Sequence, residues 1–166
     1  MTKGCGAAVV CATAVVAAIA PASASAEERT CRGRIGAATV DNLRVPPGTT
    51  CRLNRTRVKG TVKVERRATL RALRIRVVGN VQAENAARVN VARSRVGGSV
   101  QVVQGGSSTL RLNKVGGDVQ YFENRGAISI ARNRVDGNLQ CKENRRRPTG
   151  GGNIVQGNKE DQCARL

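Results

Sequence analysis

Valine alternates with polar residues in short runs, and the runs come back at a fixed interval. Val96-Gly97-Gly98-Ser99-Val100-Gln101 returns as Val77-Val78-Gly79-Asn80-Val81-Gln82, as Val115-Gly116-Gly117-Asp118-Val119-Gln120 and as Val135-Asp136-Gly137-Asn138-Leu139-Gln140. Weaker copies surround Gly60 and Gly157. The key glycines (Gly60, Gly79, Gly98, Gly117, Gly137 and Gly157) are separated by 19, 19, 19, 20 and 20 residues. Valine stands two before every one of them. Two after stand Val62, Val81, Val100, Val119 and Leu139, until Lys159 ends the series. A second apolar face holds Leu70 and Ala72, Val89 and Val91, Ser108 and Leu110, Ile128 and Ile130. Alternation with period two means strands with one face inward, and β-branched side chains suit that surface. Helix is a poor alternative, because glycine interrupts every segment and no three-four spacing is present.

A fixed period of this length is the mark of a stacked-repeat fold. Two or three short strands per 19–20 residues predict an all-β, single-stranded, right-handed parallel β-helix of about six coils, the hand following the usual preference of parallel crossovers. Like residues stack on like, so the interior needs no tryptophan and only one Phe and one Tyr in the whole chain. Thr56, Ile75, Ser94, Asn113, Asn133 and Asn153, four before each glycine, are expected to form an inward polar corner that satisfies turn backbone groups. Gln82, Gln101, Gln120 and Gln140 should form an outward amide ladder.

The ends differ from the middle. Residues 1–26 read as a secretory signal: Lys3, an Ala/Val-rich run from Ala7 to Ala20, then Pro21 and Ala24-Ser25-Ala26 as a small-residue cleavage site. Residues 27–45 form an N-terminal cap and a degenerate coil, with Asp41 where later repeats have glycine. Residues 46–144 hold the regular coils. Residues 145–166 carry a basic loop, Arg145-Arg146-Arg147, and a polar C-terminal cap of the kind a solenoid needs.

Four cysteines follow the signal, an even number that suits disulfides in an exported chain. Cys31 and Cys51 are one period apart. Cys141 and Cys163 are one period plus a small insertion apart. Residues one period apart stack at about 5 Å, within disulfide reach. The expected staples are therefore Cys31–Cys51 and Cys141–Cys163, one at each end. A zinc site would need the four thiolates together.

The run Gly137-Asn138-Leu139-Gln140-Cys141-Lys142-Glu143-Asn144, followed by Gly157-Asn158-Lys159-Glu160-Asp161-Gln162-Cys163, resembles the C-terminus of short secreted actinobacterial right-handed parallel β-helix repeat proteins of uncharacterised function. The resemblance runs from about Thr39 to Leu166. It implies the fold and secretion, and it brings no catalytic residues. This chain departs from it in being arginine-rich where small polar residues are usual.

The formal charge is +18 at pH 7, most of the basic residues being arginine. Such a field favours anionic partners. Two columns carry the charge. Three before the glycine stand Arg57, Arg76, Arg95, Lys114 and Arg134. Five before it stand Arg55, Arg74, Arg93 and Arg132, interrupted by Leu112. The two offsets share parity, so both columns should face outward on one strip, provided the chain turns a corner near offset six. The strip offers guanidinium forks to phosphate or carboxylate at the cell surface. The competing reading is a merely solvated face. Aromatic side chains for stacking bases are missing from the strip.

Enzymatic signals are thin. The chain has no histidine, which removes the commonest general base and metal ligand. Carboxylates stand at matching coil positions, notably Glu123 and Glu143, with Asp118 and Asp136 near one turn, and turn chemistry with nearby arginine explains them better. The expectation is a secreted, non-enzymatic binding or structural protein without cofactor or metal, engaging a cell-wall polymer, an acidic glycan or a nucleic acid. A self-associating structural protein and a small polysaccharide-active enzyme are the alternatives.

Overall fold

The structure, a computed structural model, describes Met1 and residues 27–166. The signal segment and its cleavage site lie outside the described residues. Within them the chain winds as an all-β parallel solenoid of about seven turns. Three parallel sheets of eight, seven and seven strands run along it. Six turns were expected from the glycines; the additional one lies ahead of them, in residues 28–40, where three short strands already occupy all three sheets.

One coil shows the plan. Val81–Glu84 lies in the first sheet, Arg88–Ala92 in the second and Arg95–Val96 in the third. Each residue sits beside its counterpart one period away: Val81 pairs with Val62 and Val100, Val89 with Leu70 and Ser108, Val96 with Val77 and Val115. Alternate residues point inward and are buried, and valine is the commonest residue of the core. Tyr121 is the largest buried side chain, and its hydroxyl lies 2.9 Å from Ser108 Oγ. Ser108 in turn donates to the Val89 carbonyl at 2.8 Å.

Three corners close each turn. At the first two, a left-handed residue is followed by an inward one. Between the first and second sheets these pairs are Arg67-Ala68, Asn85-Ala86, Gln104-Gly105, Glu123-Asn124 and Glu143-Asn144. Between the second and third they are Arg55-Thr56, Arg74-Ile75, Arg93-Ser94, Leu112-Asn113 and Arg132-Asn133. The left-handed φ values run from 51° to 58°. The second corner carries the expected inward polar column. Asn113 Nδ2 donates to the Val91 carbonyl at 2.9 Å and to Asn133 Oδ1 at 3.0 Å, and Asn133 repeats the pattern on Leu110 and Asn153. A second such column, Asn124 on Asn144 and Asn144 on Gln162, lines the first corner. Burial would leave these amides and carbonyls costly if unpaired, and the stack pairs them.

The third corner explains the recurring glycine. The side-chain oxygen after each glycine accepts the backbone N–H of its counterpart in the next coil: Asn42 from Thr61, Asn80 from Ser99, Asp118 from Asn138, Asn138 from Asn158. That oxygen lies where a Cβ on the next glycine would stand, against Asn42 at Gly60, Asn80 at Gly98 and Asp118 at Gly137. These glycines have no left-handed φ; they are required for close approach. They also form a row, with Gly79 donating to Gly60, Gly98 to Gly79, Gly117 to Gly98, Gly137 to Gly117 and Gly157 to Gly137 at 3.0–3.2 Å.

Both staples form as the spacing predicts. Cys31–Cys51 and Cys141–Cys163 have Cα separations of 5.6 and 5.2 Å. They sit near opposite ends of the solenoid, so the four cysteines are not assembled as one metal site.

Two outcomes follow. Gly98→Ala should destabilise the protein by about 2–3 kcal/mol, because the added methyl meets a backbone and an acceptor that are both fixed. Gly36→Ala, where a Cβ meets nothing within 4 Å, should stay within about 0.5 kcal/mol in the same guanidinium chloride titration. Burial pushes the Tyr121 hydroxyl up to about 12 from 10.0, partly countered by the Ser108 hydrogen bond. Its folded pKa is raised, so the stabilisation is complete below pH 10 and is lost between pH 10 and 12 as the unfolded tyrosine ionises first. The loss amounts to roughly 3 kcal/mol. Tyr121→Phe should flatten the stability profile over that window, as read by unfolding at pH 9, 10.5 and 11.5.

Candidate polyanion-binding strip

The nine basic residues singled out by offset come together along one edge. Arg57, Arg76, Arg95, Lys114 and Arg134 form the outer column of the third sheet, paired in register from coil to coil. Arg55, Arg74, Arg93 and Arg132 occupy the left-handed position of the second corner. All nine are exposed. The expected corner at offset six is corrected: the chain turns at offsets five and four, so the two columns flank the bend itself. One residue separates them in the chain, and its side chain points inward. From Arg74 to Arg134 the result is a shallow trough along the rod, walled by the two columns and floored by Ile75, Ser94, Asn113 and Asn133, with Ile154 at its far end; Arg55 and Arg57 continue the columns beyond it.

Backbone geometry demands a left-handed residue at both corners but does not demand arginine. At the first corner the position is filled by Arg, Asn, Gln and Glu in turn; at the second, arginine recurs in four coils. A non-glycine side chain in this region costs roughly 1–2 kcal/mol, and Asn tolerates it better than Arg. Like charges stacked on neighbouring strands repel and cost stability. A surface chosen only for solubility has no need of this arrangement.

Acidic neighbours are few. Among the described residues, Arg55, Arg57, Arg74, Arg76, Arg93, Arg95 and Arg132 make no ion pair. The far end is different: Asp136 lies 3.6 Å from Lys114 Nζ and 3.8 Å from Arg134 Nε. The unneutralised charge is therefore densest over three successive coils. Arg44 provides a contrast on the first sheet. Its Nε and Nη2 donate to Glu65 at 2.8 and 3.0 Å, and this bidentate hydrogen bond holds the Glu65 carboxyl below its ordinary range. That guanidinium is already occupied, and those of the strip are not.

No protein-family model matches the chain, and neither curated proteins nor solved structures provide a match. Of the resemblance drawn from the C-terminal run, the parallel solenoid is shown and no family is identified, so the strip is interpreted on its own chemistry.

The basic surface is wider than the two columns. Arg34, Arg52 and Arg71 stack in register on the second sheet, and Asn90 continues their column. Arg52 and Arg71 stand eight before Gly60 and Gly79, whereas Arg34 precedes the first key glycine and joins the column only through its pairing with Arg52. The carboxylates have other partners. Gln104 Nε2 donates to Glu123 at 2.8 Å, Glu143 lies 3.9 Å from Lys142, and Asp118 accepts the Asn138 N–H at 2.8 Å. Glutamines 82, 101, 120 and 140 form the expected outward ladder, each donating to the next at 2.9–3.2 Å and the last to Glu160 at 2.8 Å. Among the described residues no His, Cys, Asp and Glu cluster has metal-site geometry, and no helix is long and apolar enough to cross a membrane.

Proposed function

We propose that this is a secreted, non-enzymatic solenoid that binds an anionic polymer of the cell surface along the arginine strip. The reading is carried by one observation: arginine fills the strained second corner in four coils, next to an outward column of arginine and lysine, with most of these guanidiniums unpaired. Strain and repulsion at the same residues are understandable if the arginines act on something outside the chain. Guanidinium forks bind carboxylate and phosphate bidentately, and a column repeated every about 4.8 Å presents the same contact to each successive unit of a polymer. Electrostatic capture of this kind weakens with salt.

Replacing Arg55, Arg74, Arg93 and Arg132 together by Asn separates function from stability. Asn accepts the left-handed conformation more readily and removes like-charge repulsion. The variant should melt at the same temperature as the parent or a few degrees above it, while eluting from heparin at clearly lower salt. Unchanged elution from heparin, with or without a change in melting temperature, would reduce the strip to a solvated face.

A further inference from the structure

The trough distinguishes between classes of polyanion. We infer that its ligand is a single extended acidic glycan chain carrying one carboxylate per ring, lying along the rod with one ring per coil. This rests on the polyanion reading above and narrows it.

Width comes first. The walls are only two residues apart in the chain, as Arg93 and Arg95 are across Ser94, so their Cα atoms are separated by at most about 6.6 Å. A single chain lying over the bend can touch both columns at once. A duplex presents grooves about 6 and 12 Å wide on a far thicker cylinder, and would rest on the rims of the trough.

Period comes second. Guanidinium pairs recur every about 4.8 Å along a straight line. Phosphates of one DNA strand advance about 3.4 Å along the helix axis and wind away from any straight edge, so successive contacts fall out of step. An extended β-linked pyranose chain advances by nearly one strand spacing per ring. Successive rings of such a chain turn their carboxylates to opposite edges, so the carboxylates meet the two columns alternately, one guanidinium per ring, as with Arg55, Arg76 and Arg93 or with Arg57, Arg74 and Arg95.

Composition comes third. Leu112 takes the next corner position, left-handed with φ 58° and 37% exposed. An apolar side chain held at that position between charged neighbours has no use to a phosphate backbone. Sugar rings, in contrast, have C–H faces between their charged groups, and Leu112 offers one of them an apolar ledge. Beyond it Arg132 and Arg134 resume the charge, partly shared with Asp136. The strip thus presents three arginine coils, a coil in which Leu112 stands beside Lys114, and a fourth arginine coil. Aromatic platforms, which single-stranded nucleic acid binding uses for bases, do not occur among the residues lining the trough.

The test is calorimetric titration with β-1,4-linked oligomannuronates of two to eight rings, beside a 20-base-pair DNA duplex, inorganic polyphosphate and the uncharged manno-oligosaccharides, at two salt concentrations. Affinity should rise about threefold per ring as far as three rings, one exposed charge pair being added with each ring. It should rise again at five rings, when Arg132 and Arg134 are reached, and then level off. Leu112→Asn should leave the three-ring ligand unchanged and reduce the gain beyond it, without removing the part due to Arg132 and Arg134. Arg74→Gln with Arg93→Gln, which takes one guanidinium from either alternating register, should weaken the three-ring ligand about threefold. Polyphosphate or DNA binding as tightly per charge as the uronates, in an arginine-dependent way, would overturn the glycan assignment and leave the polyanion reading standing. Absence of arginine-dependent binding to every charged probe would overturn both.

Discussion

Backbone N–H groups of one coil donate to carbonyls of a neighbouring coil, and the rest of the molecule is arranged around keeping that ladder unbroken. A stack of parallel coils is stable only if each corner also finds partners, because buried corner amides cannot turn to water. Asn113 on Asn133, Asn124 on Asn144 and Asn80 under Ser99 are three versions of one solution. In each, a side chain of one coil completes the turn of another. The glycine row follows from it, since the acceptor oxygen takes the space that a Cβ would need. Valine and other aliphatic side chains then fill the interior, with Tyr121 the one aromatic among the buried residues described.

The same ladder turns a one-dimensional repeat into a surface. Any outward residue that recurs with the period becomes a column with about 4.8 Å spacing. Glutamines become a hydrogen-bonded amide ribbon. Arginines become a line of charge that cannot pair with itself and has few acids within reach. Because the line lies on a left-handed corner, its residues are held in a conformation that arginine disfavours. Strain and repulsion coincide on the edge for which the fold offers no internal partner, whereas Arg44, on another face, is held by Glu65.

Much of this was legible in the sequence, because a repeat reports its own contacts. The cysteine spacings gave both staples, and the offset of each residue from its glycine gave its column. Other features were not. The two asparagines of the first corner, Asn124 and Asn144, follow coils with Ala68, Ala86 and Gly105 at the same place, so their column is polar in only part of the rod and its period is faint. The corner position was misjudged by one to two residues, because parity distinguishes inward from outward and is blind to a left-handed residue that reverses the count. The first coil carries Asp41 instead of glycine, which hid the seventh turn. The Arg34–Arg52–Arg71 column was visible in principle and was lost beside the longer arginine columns.

The central claim, that residues one period apart lie directly over one another, has a direct measurement. Through-hydrogen-bond scalar couplings in isotope-labelled protein should connect the amide nitrogen of Gly79 to the carbonyl carbon of Gly60, that of Gly98 to Gly79, and that of Gly117 to Gly98. Couplings from these amides to carbonyls within their own turn, or to residues half a period away, would contradict the stacking and with it the arginine line.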